Sequence, residues 1–209
     1  MPHKFKQLLE KIMSEQAPGP SPTFSLFHML RTIELISEKA IGRSKLAENL
    51  KVGEGAVRTI IDRLKSAGLI ATSKAGCTFT NEGLELWKEY KSIFKKKIEM
   101  EKSELSLAKY NFAVLIKNYC HKVKFGVEQR DAAVIAGARG ATTIKFKEGL
   151  LIIPSVSNNV AKDFPKAASQ ILRNFEVEEN DVIIIASAED IGKAEYGTLA
   201  AAWTLLDDH

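Results

Sequence analysis

The chain lacks any apolar run long enough to cross a bilayer, which argues against an integral membrane protein. Its longest apolar runs, residues 150–154 and 182–186, are far shorter than the roughly 20 residues that a spanning helix requires. Residues 1–10 are polar and do not resemble a signal peptide. We therefore expect a cytoplasmic protein.

Cysteine and histidine are scarce, with two and four copies in 209 residues. Cys77 and Cys120 lie far apart and match neither a zinc-site spacing nor a secreted disulfide framework, so we expect reduced thiols. Cys120 is followed by His121, yet no further histidine or carboxylate completes a ligand set. The sequence therefore predicts no metal and no cofactor.

Recognisable catalytic motifs are also missing. Nothing matches a phosphate-binding Walker loop, a dinucleotide fingerprint after a strand or a nucleophile elbow. Gly137 and Gly140 match the G-x-x-G loop of KH RNA-binding domains, but here that loop is predicted to join a helix to a strand rather than to a second helix. The end of a helix followed by a turn explains the pair better. We expect a protein that is not an enzyme.

Charge is present in both signs but is unevenly distributed. The net charge is +4, yet residues 1–97 hold 17 basic and 10 acidic residues, whereas residues 98–209 hold 13 basic and 16 acidic ones. The first half thus carries about +7 and the second about −3. A polyanionic partner is therefore expected for the first half, although a solvated lysine-rich surface would give the same count.

Three of the six prolines lie within residues 14–22, which excludes a helix or a central strand there. This segment separates a short N-terminal helix from the rest, and near residue 105 basic residues become sparser. We therefore predict three parts: a helix and linker over residues 1–23, a mainly helical domain over 24–104, and an α+β domain over 105–209.

Residues 24–104 predict helices joined by short turns. Apolar residues at helical spacing indicate a helix over 24–39, a second helix capped by Ser44, and a third over 54–67 that ends at Gly68. Residues 69–80 alternate like a hairpin, and Asn81 is a candidate cap for a last helix. The core stripe of the third helix is expected to consist of Val57, Ile60, Ile61 and Leu64.

This order of elements resembles the winged helix-turn-helix family of bacterial and archaeal regulators. The likeness rests on the segments 44–50, 52–53, 67–70 and 80–83, and on Val57 with Leu64. The resemblance implies that helix 54–67 enters the major groove of duplex DNA and that a wing at residues 73–77 contacts the backbone.

A helical projection selects the residues that would face DNA. Gly55, Thr59, Asp62 and Ser66 lie opposite the core stripe, and a slim edge of this kind suits entry into a groove. Arg58 could reach guanine edges, while flanking cations would meet phosphates. The residues predicted to form this surface are Arg43, Ser44, Lys45, Lys51, Gly55, Arg58, Thr59, Asp62, Arg63 and Lys74.

The last helix of this domain is predicted to run from Glu82 to about Met100. Its apolar residues exceed what one packing seam would bury, which favours a homodimer through this helix. The alternative is that the C-terminal domain of the same chain covers it. The residues concerned are Leu84, Leu86, Trp87, Tyr90, Ile93, Phe94 and Ile98.

Residues 105–209 predict the element order β-α-β-β-α-β-α. We expect a two-layer α/β sandwich with a mostly antiparallel sheet and both crossover helices on one face, ferredoxin-like or related to the small insertion domain of some aspartyl-tRNA synthetases. Over its full length the chain also resembles an uncharacterised archaeal family of hypothetical regulators, through segments such as 130–133 and 137–144. That resemblance implies an archaeal source and no known ligand.

Two functions remain open at this point. The first is a DNA-binding transcriptional regulator whose C-terminal domain senses a small-molecule effector or mediates assembly. The second is a non-catalytic RNA- or protein-interaction module in translation or RNA handling, which the synthetase-like domain suggests. A preference for duplex DNA over structured RNA would distinguish them.

Overall fold

A computed structural model of the chain describes residues 3–14 and 23–207. The chain forms two compact units, the first ending at Lys91 and the second beginning at Ser92. Most of the predicted proline-rich linker, residues 15–22, lies outside the described residues. Within the described residues, no helix is both long enough and apolar enough to span a membrane.

The first unit contains the helices and the hairpin that the sequence predicts. Val57, Ile60, Ile61 and Leu64 are all buried, which confirms the predicted core stripe of the third helix of the 24–104 segment. The elements are α1 Lys4–Ser14, α2 Leu26–Glu38, α3 Arg43–Leu50, α4 Glu54–Ser66, β1 Ile70–Ser73, β2 Gly76–Phe79 and α5 Asn81–Ile93.

The hairpin of β1 and β2, together with the turn between them, is called the wing below. Cys77 of β2 also forms a single antiparallel bridge with Ile41, which attaches the segment before α3 to the wing. Gly76 makes this pairing possible, because its φ is 120° and a Cβ there would lie 2.6 Å from the Ile41 carbonyl. Thr80, rather than the predicted Asn81, caps α5 by accepting a hydrogen bond from the Gly83 N–H.

The predicted long last helix is wrong beyond Ile93. Residues Phe94–Met100 form a strand, β3, that pairs antiparallel with the next strand and belongs to the second unit. Leu86, Tyr90, Ile93 and Phe94 are buried within the chain, whereas Leu84 is 43% exposed, so the chain itself covers most of the apolar surplus that suggested a dimer through this helix. The physical reason is tertiary: pairing with a buried strand overrides the helix propensity of a lysine-rich segment.

The second unit is built on a five-stranded sheet with the order β3-β4-β7-β5-β6, in which every neighbouring pair is antiparallel. A ferredoxin-like sheet has its first and third strands in the middle, whereas here the last strand, β7, occupies the centre. The remaining elements are β4 Tyr110–Ile116, α6 Val127–Ile135, β5 Gly140–Lys147, β6 Leu150–Ile152, α7 Val160–Asp163, α8 Pro165–Asn174, β7 Val182–Ala188 and α9 Ile191–Trp203.

Helices cover both faces of this sheet, so the prediction that both crossover helices lie on one face is wrong, although the α+β class is confirmed. Ile183 and Ile185 of β7 share a core with Ile171 of α8. On the opposite face, α9 packs on β4 and β7 beside α6, and its Gly197 lies close to Ala186. All seven residues of β7 are buried, which is typical of a strand that is covered on both sides.

Candidate nucleic-acid interface

The helix-turn-helix consists of α3, a three-residue turn and α4. Leu46 and Leu50 are buried and hold α3 in place. Lys51 ends α3 in the left-handed conformation, with φ of 55°, and its N–H donates to the Ala47 carbonyl. Gly53 then precedes α4 as its N-terminal cap residue. This compact turn leaves the outer face of α4 exposed along most of its length.

A cleft of about 330 Å³ lies between α4, the start of α3 and the wing. It is lined by three of the predicted cations, Arg43, Arg58 and Lys74, and by the carboxylate of Asp62. All four side chains belong to exposed residues. Arg58 and Lys74 form no ion pair or side-chain hydrogen bond with the described part of the chain. They are therefore available to an anionic partner.

The wing holds Lys74 at its tip because the turn is very short. Ser73 pairs with Gly76, so only Lys74 and Ala75 connect the strands. The Ser73 hydroxyl accepts a hydrogen bond of 3.1 Å from the Ala75 N–H, which stabilises the turn. A two-residue connection restricts where the Lys74 backbone can lie.

Glu54 occupies the start of α4 and binds two of the predicted DNA contacts. The Ser44 hydroxyl donates to its carboxylate at 2.8 Å, and the Arg43 guanidinium lies 3.4 Å away. Ser44 is therefore not the cap that the sequence predicts, since α3 begins at Arg43 with Gly42 as its cap. The Arg43 and Glu54 side chains are both about half exposed, so this pair is weak and open to exchange.

Arg63 occupies a different environment from the other cations of α4. Its guanidinium donates to the carbonyls of Ile12 and Met13 at 3.1 and 3.0 Å, at the C-terminal end of α1, and lies 5.5 Å from the centre of the Phe24 ring. This arrangement satisfies carbonyls that a helix end leaves without partners. In this structure Arg63 thus attaches α1 to α4.

The leading edge of α4 is slim, as the projection predicts. Gly55 is exposed, and a Cβ added there would meet no atom within 4 Å. Thr59, one turn further along, is partly exposed, and its hydroxyl donates to the Gly55 carbonyl at 3.2 Å. On α3, Lys45 pairs with Glu48 at 2.8 Å, with both side chains about two-thirds exposed.

Other chemistry is sparse near this surface. Burial raises the pKa of the Cys77 thiol at the base of the cleft, which keeps the thiol protonated at neutral pH. Over residues 3–14 and 23–207, no group of three or more histidine, cysteine or acidic side chains is arranged to hold a metal ion.

Comparisons with known proteins match the two units separately. Residues 25–94 match the CggR N-terminal DNA-binding domain, and residues 107–205 match a domain of unknown function, DUF4443. No curated protein matches the chain.

Among solved structures, hypothetical protein PH0730 from Pyrococcus horikoshii OT3 is 27% identical, with a TM-score of 0.69, over 87% of this chain and 92% of that one. Wild-type ZitR from Lactococcus lactis is 23% identical over 43% of this chain and 70% of its own, with a TM-score of 0.30, which is too low to support an inference. The helix-turn-helix and the wing thus lie within the segment that is similar to a DNA-binding domain, and the segment that follows is similar to a domain of unknown function.

Proposed function

We propose that the protein regulates transcription by inserting α4 into the major groove of duplex DNA while the wing contacts the neighbouring backbone. The observation that carries this proposal is the cleft between α4 and the wing, where Arg58 and Lys74 are exposed and form no ion pair within the described residues. A helix in the major groove reads base edges, and flanking cations bind phosphates.

The two cations have different roles in this proposal. Arg58 projects from α4 beside the small residues Gly55 and Thr59. Its planar guanidinium forms hydrogen bonds to the edge of a base. Lys74 projects from the wing and contributes a phosphate contact without sequence preference. Arg43, Lys45 and Lys51 add phosphate contacts, and a phosphate would replace Glu54 as the partner of Arg43.

The test is a fluorescence-anisotropy titration with a duplex selected from genomic DNA and with a random duplex of equal length. Arg58→Ala should weaken binding to the selected duplex by about 5- to 150-fold and reduce the preference for it. Lys74→Ala should weaken both duplexes alike. Lys11→Ala, which removes one exposed charge from α1, is the matched control and should leave binding nearly unchanged.

Salt dependence measures the number of phosphates that the protein contacts. The logarithm of the affinity should fall against the logarithm of salt concentration with a slope near −0.9 for each phosphate neutralised, for about four to six phosphates. A flat salt dependence would contradict the proposal. Tighter binding to structured RNA of equal length than to any duplex would favour the alternative, an RNA-interaction module.

A homodimer is part of the proposal. We place its interface on α6 instead of α5, the helix on which the sequence predicted it. Val127 and Val134 are seven residues apart on one face of α6 and are 46% and 48% exposed, and Ile135 beside them is 88% exposed. Arg130 and Asp131 lie between the valines with opposite charges, and such a pair can exchange partners across a two-fold axis. A second copy of this chain is therefore the occupant that fits the face.

Light scattering at micromolar concentration tests the dimer. The wild-type chain should have about twice the 23.1 kDa mass of one chain, and Val134→Glu should reduce it to that of a monomer. Val156→Glu is the control, since Val156 is also exposed, at 67%, but lies outside α6. Wild-type protein that is monomeric at this concentration would refute the dimer without affecting the DNA-binding proposal.

The DUF4443 domain is proposed to sense an effector or to mediate assembly, and no catalytic step is assigned to it. A DNA-binding regulator of this kind would act in the cytoplasm, as the sequence predicts.

A further inference from the structure

The second unit contains a pocket of about 640 Å³ that the sequence does not predict. It lies between β3, the end of β4 and the C-terminal end of α8. Its lining includes four cations, Lys95, Lys96, Lys117 and Arg173, against the two carboxylates of Glu176 and Glu178. The volume is in the range of small-molecule sites.

A β-bulge brings two of these lysines to the pocket. Phe94 pairs with Ile116 and Lys96 with Leu115, which leaves Lys95 as an extra residue in β3. Bulges redirect side chains and are frequent beside functional sites. The Lys96 ammonium donates to the Asn174 carbonyl at 2.6 Å, which offsets the partial negative charge at the C-terminal end of α8.

Lys117 forms the charged base of the pocket. It donates to the buried carboxylate of Asp181 and to Glu178, both at 2.8 Å. Burial alone would lower the pKa of Lys117, but these two carboxylates outweigh it and raise that pKa. Lys117 thus faces two carboxylates, and Lys95 is a second cation that interacts electrostatically with Glu178.

The remaining lining has an excess of positive charge. Arg173 lies 3.8 Å from Glu101, with both side chains more than half exposed, so a stronger anion would readily replace that carboxylate. Among the lining residues as a whole, four cations face the two carboxylates of Glu176 and Glu178. The apolar wall is formed by Leu115, Leu172 and Phe175.

We propose that this pocket binds a small organic phosphate that carries at least two negative charges. Ammonium groups suit phosphate oxygens as point charges, and the Arg173 guanidinium can bind two of them. The exposed side chain of Leu172 would contact the carbon skeleton. Phe175 is only 4% exposed and offers no open face for base stacking, so the site does not require a nucleobase.

The connection of β3 to α5 gives this ligand a way to influence DNA binding. α5 ends at Ile93, and only Phe94 separates it from the bulge at Lys95. A ligand that fixes the bulge thus acts one residue from the helix that closes the DNA-binding unit. This step rests on the proposed function, and the expected change in DNA affinity is about 5- to 150-fold.

Calorimetric titration of the full chain with inorganic pyrophosphate, in the absence of DNA, tests the pocket alone. The wild type should bind, and the double variant Lys95→Gln/Lys96→Gln should raise the Kd by about tenfold or more. Lys147→Gln is the matched control, because Lys147 is an exposed lysine of the same sheet outside the pocket. Equal thermal stability of all three proteins excludes unfolding as the cause of a loss.

Three results would overturn the proposal: no binding to the wild type, equal binding by the double variant, or equal loss in Lys147→Gln. Displacement of pyrophosphate by a short single-stranded oligonucleotide at lower concentration would also overturn it, by identifying the pocket as a nucleic-acid surface. Citrate that competes as well as pyrophosphate would contradict the choice of phosphate. DNA binding that persists with no pyrophosphate binding would reject the pocket but not the proposed regulator.

Discussion

Two arginines of α4 provide the sharpest test of which side of this helix faces DNA. Arg58→Ala and Arg63→Ala each remove one positive charge from the same helix, so any effect of net charge is the same in both. Arg58 is exposed on the cleft between α4 and the wing, whereas Arg63 binds the Ile12 and Met13 carbonyls. We expect Arg58→Ala to affect DNA binding and Arg63→Ala to affect stability.

The expected magnitudes follow from these contacts. Hydrogen bonds to charged groups contribute about 1.5–3 kcal/mol each, but both bonds of Arg63 come from one nitrogen of a side chain that is only partly buried. Taking about 1.5 kcal/mol for the pair, the melting temperature of the first unit should fall by about 6–12 °C. Arg58→Ala breaks no such contact and should change stability by less than about 0.5 kcal/mol.

The assay must separate the two units. Trp87 lies in α5 of the first unit, so its fluorescence in a Trp203→Phe background follows unfolding of that unit. DNA affinity is measured in parallel by anisotropy at several salt concentrations. If Arg63→Ala reduces the salt slope without lowering stability, or Arg58→Ala lowers stability without weakening DNA binding, the assigned orientation of α4 is wrong.

Three further predictions concern single contacts. Desolvation alone would raise the pKa of Glu104, but backbone N–H groups, including two at the start of α8, hold that pKa below its usual value. Stability should therefore fall as the pH drops through the lowered pKa, and thermal melts of Glu104→Gln should lack this loss. Gly76→Ala should lower the melting temperature, since backbone strain costs about 1–3 kcal/mol and the added Cβ meets the Ile41 carbonyl. Glu54→Gln should strengthen DNA binding in anisotropy titrations by releasing Arg43; weaker binding would indicate that the carboxylate is needed to position it.

The first unit could be predicted well because its signals are local. The apolar stripe of α4, the glycine after it and the short basic turn of the wing all lie within a few residues of the structures that they determine. The partner of Arg63 could not be predicted, because it consists of backbone carbonyls about 50 residues away that leave no mark in the sequence. The apolar stripe of α4 also does not indicate which residues outside that stripe another helix, here α1, will contact.

The boundary between the units illustrates a different failure. Lysines at 95–97 are good helix formers, and Phe94 with Ile98 continues a helical spacing from α5, so local preference favours a helix there. Pairing with β4 determines the structure instead, because β3 completes the sheet as its edge strand. The lysines of β3 protect that edge from association with another chain. The alternation of Lys97 and Glu99 with Ile98 and Met100 is the strand signal, but it is too short to be decisive.

The pocket of the second unit shows why candidate sites are harder to predict than folds. Its cations come from positions 95–96, 117 and 173, which no motif connects, and only the order of the strands brings them together. A bulge in β3, the end of β4 and the end of α8 must coincide for the site to exist. The cleft of the first unit, by contrast, is formed by residues 42–77, which lie close together in the sequence. A site assembled from neighbouring elements can be anticipated from spacing, whereas one assembled across a sheet depends on the topology first.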